Sequence, residues 1–122
     1  MFKGIIVEES LENKDVLRDV HILKTEISPV EEKDKTPWLE QWTLHTIEIS
    51  EDNVEDIAEK ISAAIYADHS NNWYADFKNE IYHYVIFKNR IFKVEISRKE
   101  QYEAVKEYGK SLGIPEYRLD FI

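Results

Sequence analysis

The sequence predicts an α+β domain, in which two helices pack on one face of an antiparallel sheet. Two observations favour this class. Short runs rich in β-branched and aromatic residues are separated by spacers of hairpin length, as in antiparallel strands. Two longer stretches repeat apolar residues every three or four positions, the period of an amphipathic helix. The predicted order is β-β-β-α-β-β-β-α-β, and a ferredoxin-like plait with extra strands is one specific version of it.

The first half of the chain contains three predicted strands. Residues 3–7 and 19–27 are rich in β-branched side chains, and residues 42–49 alternate as they would in a strand covered in part on both faces. Residues 28–37 contain Ser-Pro, a mixed charge run and Thr-Pro, which predicts an exposed connection.

The first predicted helix begins at Ser50, with acidic residues in its first turn. Its apolar positions are Val54, Ile57, Ala58, Ile61, Ala64 and Ile65. Residues 73–78, 81–87 and 91–96 then predict a meander of three antiparallel strands. We expect Ile57, Ile61, Phe92, Val94 and Val105 to be buried between the helices and the sheet.

The second predicted helix starts with a capping box, Ser97 to Glu100, and stops at Gly113 and Pro115. A final strand is predicted at 117–121. Val-Glu-Ile-Ser at 94–97 resembles Ile-Glu-Ile-Ser at 47–50, which also leads into a helix. Convergence on good capping residues or duplication of a strand-helix unit would each explain this similarity.

Composition limits the function classes. A chain of 122 residues, 43% apolar and 34% charged, fits one domain spanning 1–122. The absence of cysteine excludes disulfides, thiolate nucleophiles and Cys-ligated metals. The net charge of −9 repels nucleic-acid phosphates, and no apolar run approaches the roughly 20 residues of a membrane span. We therefore expect a cytoplasmic protein without nucleic-acid or membrane partners.

No sequence motif marks an enzyme or a cofactor. The three glycines form no phosphate-binding cluster, and there is no nucleophile elbow, zinc-protease helix or EF-hand loop. The four histidines are not paired in sequence, so we expect no dedicated metal site. His45 and His83 share strand faces with apolar residues, so each fits a hydrogen-bonded core residue or, with Asp76, an acid or base.

Aromatic residues are concentrated around residues 38–42 and in the meander, beyond what one sheet face usually needs. Such side chains either pack the core or recognise a ligand or partner on a face without helices. The predicted ligand- or partner-binding residues are Trp38, Trp42, His45, Trp73, Tyr74, Asp76, Tyr82, His83 and Tyr84.

Three segments carry a resemblance: Thr-Pro-Trp-Leu-Glu-Gln-Trp-Thr-Leu-His at 36–45, Asn-Trp-Tyr-Ala-Asp-Phe-Lys-Asn at 72–79, and Tyr-Gly-Lys-Ser-Leu-Gly-Ile-Pro-Glu-Tyr at 108–117. They resemble short conserved hypothetical prokaryotic proteins of no assigned function. The resemblance covers most of the chain and implies a stand-alone domain, but it assigns no catalytic residue.

Two functional hypotheses follow. The first is a noncatalytic binding protein whose aromatic sheet face recognises a small-molecule ligand, a protein or a second copy of the chain as a homodimer. The alternative is an enzyme that uses His45 or His83 as acid or base, with Asp76 to orient it. Histidines clustered beside a carboxylate in a concave pocket would favour the enzyme, and a flat apolar patch would favour interaction.

Overall fold

The computed structural model describes residues 1–29, 41–66 and 73–119. Its strands and helices are, in chain order, β1 (Phe2–Val7), β2 (His21–Pro29), β3 (Gln41–Ile49), α1 (Val54–Ala64), β4 (Ala75–Lys78), β5 (Tyr82–Phe87), β6 (Arg90–Glu95) and α2 (Gln101–Ser111). Short 3-10 helices occupy Glu8–Ser10, Lys14–Arg18 and Glu116–Leu119. The predicted α+β class is confirmed. Trp38 and residues 30–37 of the predicted connection lie outside the described residues.

The strands form one six-stranded antiparallel sheet in the order β2-β3-β1-β4-β5-β6. β1 lies between β3 and β4 and is antiparallel to both, so β3 and β4 run in the same direction and α1 connects them. This arrangement is a split β-α-β unit. β4, β5 and β6 follow as the predicted meander.

The two helices lie on opposite faces of the sheet, which corrects the prediction that they share one face. α1 packs with Phe2, Ile47, Phe77 and Tyr84, and α2 packs with Val85, Phe87 and Val94. Neighbouring residues of a strand point to opposite faces, so Tyr84 and Val85 belong to different sides. We call these sides the α1 face and the α2 face. The two-sided arrangement also departs from a ferredoxin-like plait, whose helices share one face.

Strand register explains why the helices separate. Ile47 is aligned with Gly4, Gly4 with Phe77, Phe77 with Tyr84, and Tyr84 with Lys93. Lys93 therefore shares the α1 face with Ile47, and the neighbouring Val94 points to the α2 face. Each helix folds back over the face to which the last buried apolar residue of the preceding strand points.

The core prediction is confirmed for Ile57, Ile61, Val94 and Val105, all of which are buried, whereas Phe92 is half-buried. Asn79 stabilises the β4–β5 turn, because its side-chain oxygen accepts hydrogen bonds from the backbone N–H groups of residues 81 and 82. In the two-residue β5–β6 turn, Asn89 adopts a φ of 57°, a conformation that asparagine tolerates well.

The structure corrects the predicted start of the second helix and confirms its predicted stop. α2 begins at Gln101, and its N-cap, Glu100, makes no side-chain capping hydrogen bond, so the predicted capping box is wrong. At the other end Gly113 has a φ of 83°, as the predicted stop requires. Residues 117–119 of the predicted final strand belong to a 3-10 helix, Glu116–Leu119, so that part of the prediction is wrong. Residues 120–121 lie outside the described residues.

Candidate functional site

A cleft of about 320 Å³ opens on the α2 face, beside the part of the sheet that α2 covers. β1, β3 and β4 form its floor, and the 116–119 helix closes one side. Its lining combines apolar, aromatic and charged side chains: Ile5, Val7, Ser28, Trp42, Leu44, Tyr74, Asp76 and Arg118. Other clefts of similar size lie beside the 14–18 helix, at the start of α1 and at the end of α2. In its described lining, none of them combines an aromatic ring with a carboxylate that is hydrogen-bonded to a buried histidine.

Asp76 is the carboxylate of the cleft, and a buried histidine holds it. His83 Nε2 lies 2.7 Å from Asp76 Oδ2, and His83 Nδ1 lies 2.9 Å from the Tyr102 hydroxyl. With the imidazole neutral, Nε2 donates to the carboxylate and Nδ1 accepts from the phenol. His83 is only 2% exposed, whereas the Asp76 side chain is 34% exposed. Asp76 is therefore the end of this chain of hydrogen bonds that a ligand can reach.

Arg118 provides the positive charge of the cleft. Its guanidinium lies 4.8 Å from the ring centre of Trp42 and 5.6 Å from that of Trp73, which is the geometry of a cation–π contact. The Tyr74 hydroxyl donates a hydrogen bond to the Arg118 carbonyl oxygen. Tyr74 thereby fastens the 116–119 helix to the start of β4.

Two tyrosines in this region have shifted acidities. Burial raises the pKa of the Tyr74 phenol well above its ordinary value, the charge of Asp76 raises it further, and Arg118 opposes the shift. Burial and the charge of Asp76 also raise the pKa of Tyr102. Both phenols therefore stay protonated at neutral pH and keep their role as hydrogen-bond donors.

The reversal after α2 brings Arg118 to the cleft. The Ile114 N–H donates to the Gly109 carbonyl and the Gly113 N–H to the Lys110 carbonyl, the two hydrogen bonds of a Schellman motif. Gly109 has no side chain where Leu119 packs against the helix. The chain can thus turn back over the sheet and place Arg118 above Trp42.

The structure separates the predicted site residues into two groups by face. Trp42, Tyr74 and Asp76 line the cleft, with His83 behind Asp76. Trp73 is buried but packs against Trp42, with ring centres 5.4 Å apart. Tyr84 is buried on the α1 face, and Tyr82 is half-buried there beneath the Lys93 ammonium group.

His45 lies on the α1 face, away from the cleft. Its Nε2 is 2.8 Å from Glu8 Oε1 and its Nδ1 is 2.8 Å from the Thr25 hydroxyl. Like His83, it bridges a carboxylate and a hydroxyl and is nearly buried. The two histidines therefore form separate hydrogen-bonded groups on opposite faces.

Sequence reasoning missed Arg118, Tyr102 and Glu8. Arg118 and Tyr102 lie more than 15 positions from the site residues that they contact, and Glu8 lies 37 positions before His45. One local signal was available for Arg118, because the Gly-Ile-Pro sequence at 113–115 predicts a chain reversal just before it.

Within residues 1–29, 41–66 and 73–119, no group of three or more His, Asp or Glu side chains could hold a metal ion. Over the same residues, no helix is long and apolar enough to cross a membrane.

No protein-family model matches the chain. No curated protein and no solved structure matches it either.

Proposed function

We propose that this chain is a binding protein for a small organic ligand, which it holds in the α2-face cleft. The observation that carries the proposal is the position of Asp76, a partly exposed carboxylate fixed by a buried histidine at the edge of an aromatic and apolar recess. Small-molecule sites commonly combine an apolar lining with a few polar groups that are held in place.

The lining indicates the chemistry of the ligand. Ile5, Val7 and Leu44, with the ring of Trp42, favour an apolar or aromatic body. The Asp76 carboxylate accepts hydrogen bonds, and an ammonium group would form the strongest one. The net charge of −9 also attracts cations at long range. Arg118 opposes an ammonium group, but its guanidinium lies over the rings of Trp42 and Trp73. The other features support a small amine with an aromatic or aliphatic body as the ligand class.

A second candidate, acid–base catalysis, rests on the 2.7 Å contact between Asp76 and His83. Because His83 is buried, the group that exchanges a proton with a substrate would be Asp76, and His83 would be a positioning residue. The separation of His45 from His83 leaves no paired-histidine site among the described residues. We therefore prefer binding, because it requires no catalytic group besides Asp76 and His83.

Ligand-observed NMR with a matched series tests the proposal. The series contains an arylalkyl amine, the alcohol in which a hydroxyl replaces the amine, and the corresponding carboxylic acid. We expect the amine to bind most tightly, and Asp76→Asn to weaken amine binding by about tenfold or more with little effect on the alcohol, because only the charge-assisted hydrogen bond is lost.

Asp56→Asn provides the matched control, since Asp56 is exposed on α1 at the other face. Tightest binding of the acid, or equal binding by the control and Asp76→Asn variants, would contradict the amine assignment. Conversion of any bound compound that depends on Asp76 would favour the enzyme instead.

A further inference from the structure

The outer edge of β2 is a second surface with recognisable chemistry. β2 is nine residues long and pairs with β3 along one edge; within the described residues no strand pairs with its other edge. Its apolar side chains include Leu23, 44% exposed, and Ile27, 55% exposed. A strand edge exposes backbone N–H and C=O groups that can pair with another strand.

We propose that this edge pairs with the β2 edge of a second copy of the chain, in an antiparallel register centred on Thr25. A two-fold axis perpendicular to the sheet keeps each residue on its own face, and paired residues in adjacent strands share a face. Because faces alternate along a strand, two paired residues must differ by an even number of positions. The axis of a symmetric β2–β2 contact therefore passes beside a residue and not between two residues.

Charge selects one of these registers. Centring on Thr25 places Lys24 opposite Glu26 of the second copy twice, once on each side of the axis. Centring one residue away places either two lysines or two glutamates directly opposite each other, which is unfavourable. The Thr25 register also places one threonine opposite the other and brings Ile27 of the second copy beside the irregularity at Leu23. The Thr25 register is thus the one that places the opposite charges of the strand against each other.

Three features of β2 are also used by proteins to prevent strand pairing: Lys24, the irregularity between Ile22 and Lys24, and Pro29. Lys24 disfavours pairing with a strand that has no acidic residue opposite it. The second copy provides that residue, Glu26, so Lys24 favours self-pairing over other partners. The irregularity lies two residues from the axis and Pro29 four residues from it, so both limit the length of the ladder. Lys24 and Glu26 already interact within one chain at 3.2 Å, so both side chains reach the same face.

The dimer would continue the sheet from one copy to the next. Because the two-fold axis is perpendicular to the sheet, both α2-face clefts would open on the same side. Ser28 of β2 lines the cleft, so the contact lies next to the proposed ligand site. The dimer does not depend on the proposed function, and either can be wrong without the other.

Charge variants test the register by sedimentation velocity over a wide concentration series. The wild type should change with concentration from 14.5 kDa towards twice that mass. Lys24→Glu and Glu26→Lys should each raise the dimer dissociation constant by about tenfold, since each places like charges opposite. The double variant should restore dimerisation, and an equimolar mixture of the two single variants should form heterodimers.

Lys99→Glu is the control for Lys24→Glu, because it makes the same change in net charge at an exposed position before α2. Circular dichroism checks that each variant is folded. A wild type that remains monomeric at every concentration overturns the proposal. A dimer that Lys24→Glu and Glu26→Lys leave intact, or that the mixture of single variants fails to reform, overturns this register.

Discussion

His45 and His83 show how one residue type meets the same requirement on both sides of the sheet. Each imidazole is nearly buried, and each bridges a carboxylate and a hydroxyl. Buried polar groups are costly unless both hydrogen-bonding atoms have partners. The difference lies in the carboxylate, because Asp76 opens into a cleft whereas Glu8 also forms an ion pair with Lys14 at 3.8 Å.

Tyr74 should make the stability of the protein fall at alkaline pH. Its pKa in the folded chain is raised above the ordinary value of about 10, chiefly by burial. Above pH 10 the unfolded chain releases this proton and the folded chain keeps it, so unfolding becomes more favourable. One such group lowers the free energy of unfolding by about 1.4 kcal/mol per pH unit until the folded pKa is reached.

Urea denaturation between pH 8 and about pH 11 measures this effect. Tyr74→Phe removes the ionisable group, so its unfolding free energy should fall less steeply with pH than that of the wild type. At neutral pH the variant should be less stable by about 1 kcal/mol, because the hydrogen bond to the Arg118 carbonyl is lost. Tyr117→Phe is the exposed control. Parallel curves for Tyr74→Phe and the wild type would exclude Tyr74 as the cause.

Gly4 permits the close approach of β1 to the strand that carries Asp76. A Cβ at this position would overlap the Asp76 carbonyl oxygen, which belongs to the backbone and cannot rotate away. Gly4→Ala should therefore destabilise the protein by about 1–3 kcal/mol. Gly109→Ala is the comparison, since its Cβ would meet the movable end of the Leu119 side chain at 2.6 Å. Equal losses from the two substitutions would show that strand spacing does not require Gly4.

Local sequence patterns predicted which helices and hairpins form more accurately than they predicted the residues at which these elements begin and end. The helices, the hairpins and the Gly113 stop depend on residues close together in sequence, and the structure contains each of them. The Ser97 capping box failed because the chain first makes two turns: the Arg98 N–H donates to the Glu95 carbonyl and the Gln101 N–H to the Arg98 carbonyl. Residues 117–119 of the predicted last strand lie in a 3-10 helix, in which the Arg118 N–H donates to the Pro115 carbonyl.

The apolar stripe of α1 supports a direct test of this element. Ile61 is fully buried, so Ile61→Ala should lower the free energy of unfolding by roughly 2–5 kcal/mol through lost apolar contact and a residual cavity. Glu59→Ala on the same helix is exposed and should change it by less than about 0.5 kcal/mol. Chemical denaturation of both variants gives the comparison. An unchanged midpoint for Ile61→Ala would mean that α1 presents another stripe to the sheet.

At the scale of the whole molecule, the face that each helix covers could not be read from the sequence. Periodicity shows that a strand has two faces, but only the register across β1, β4, β5 and β6 shows that Ile47 and Val94 point to opposite sides. The candidate site depends on the same long-range information. Trp42, Tyr74 and Asp76 were expected from local composition, whereas Arg118 and Tyr102 reach the α2 face through chain reversal and helix packing.

A double-mutant cycle tests the two-sided architecture. Ile61 lies in the core under α1 and Val105 in the core under α2, so the two side chains belong to separate clusters of buried residues. Ile61→Ala and Val105→Ala should each destabilise the protein, Val105→Ala by about 2 kcal/mol. The double variant should then lose the sum of the two effects to within about 0.5 kcal/mol.

The cycle of Phe92→Leu and Tyr108→Leu is the positive control, because the Phe92 ring of β6 packs against the Tyr108 ring of α2 with the ring centres 5.7 Å apart. This pair should show a coupling energy above about 0.5 kcal/mol. Both cycles require denaturation curves with a single transition, since coupling energies have meaning only for two-state unfolding. Helices on one face would bring the side chains of α1 and α2 into a shared core. A coupling energy between Ile61 and Val105 as large as that of the control pair would therefore contradict their separation by the sheet.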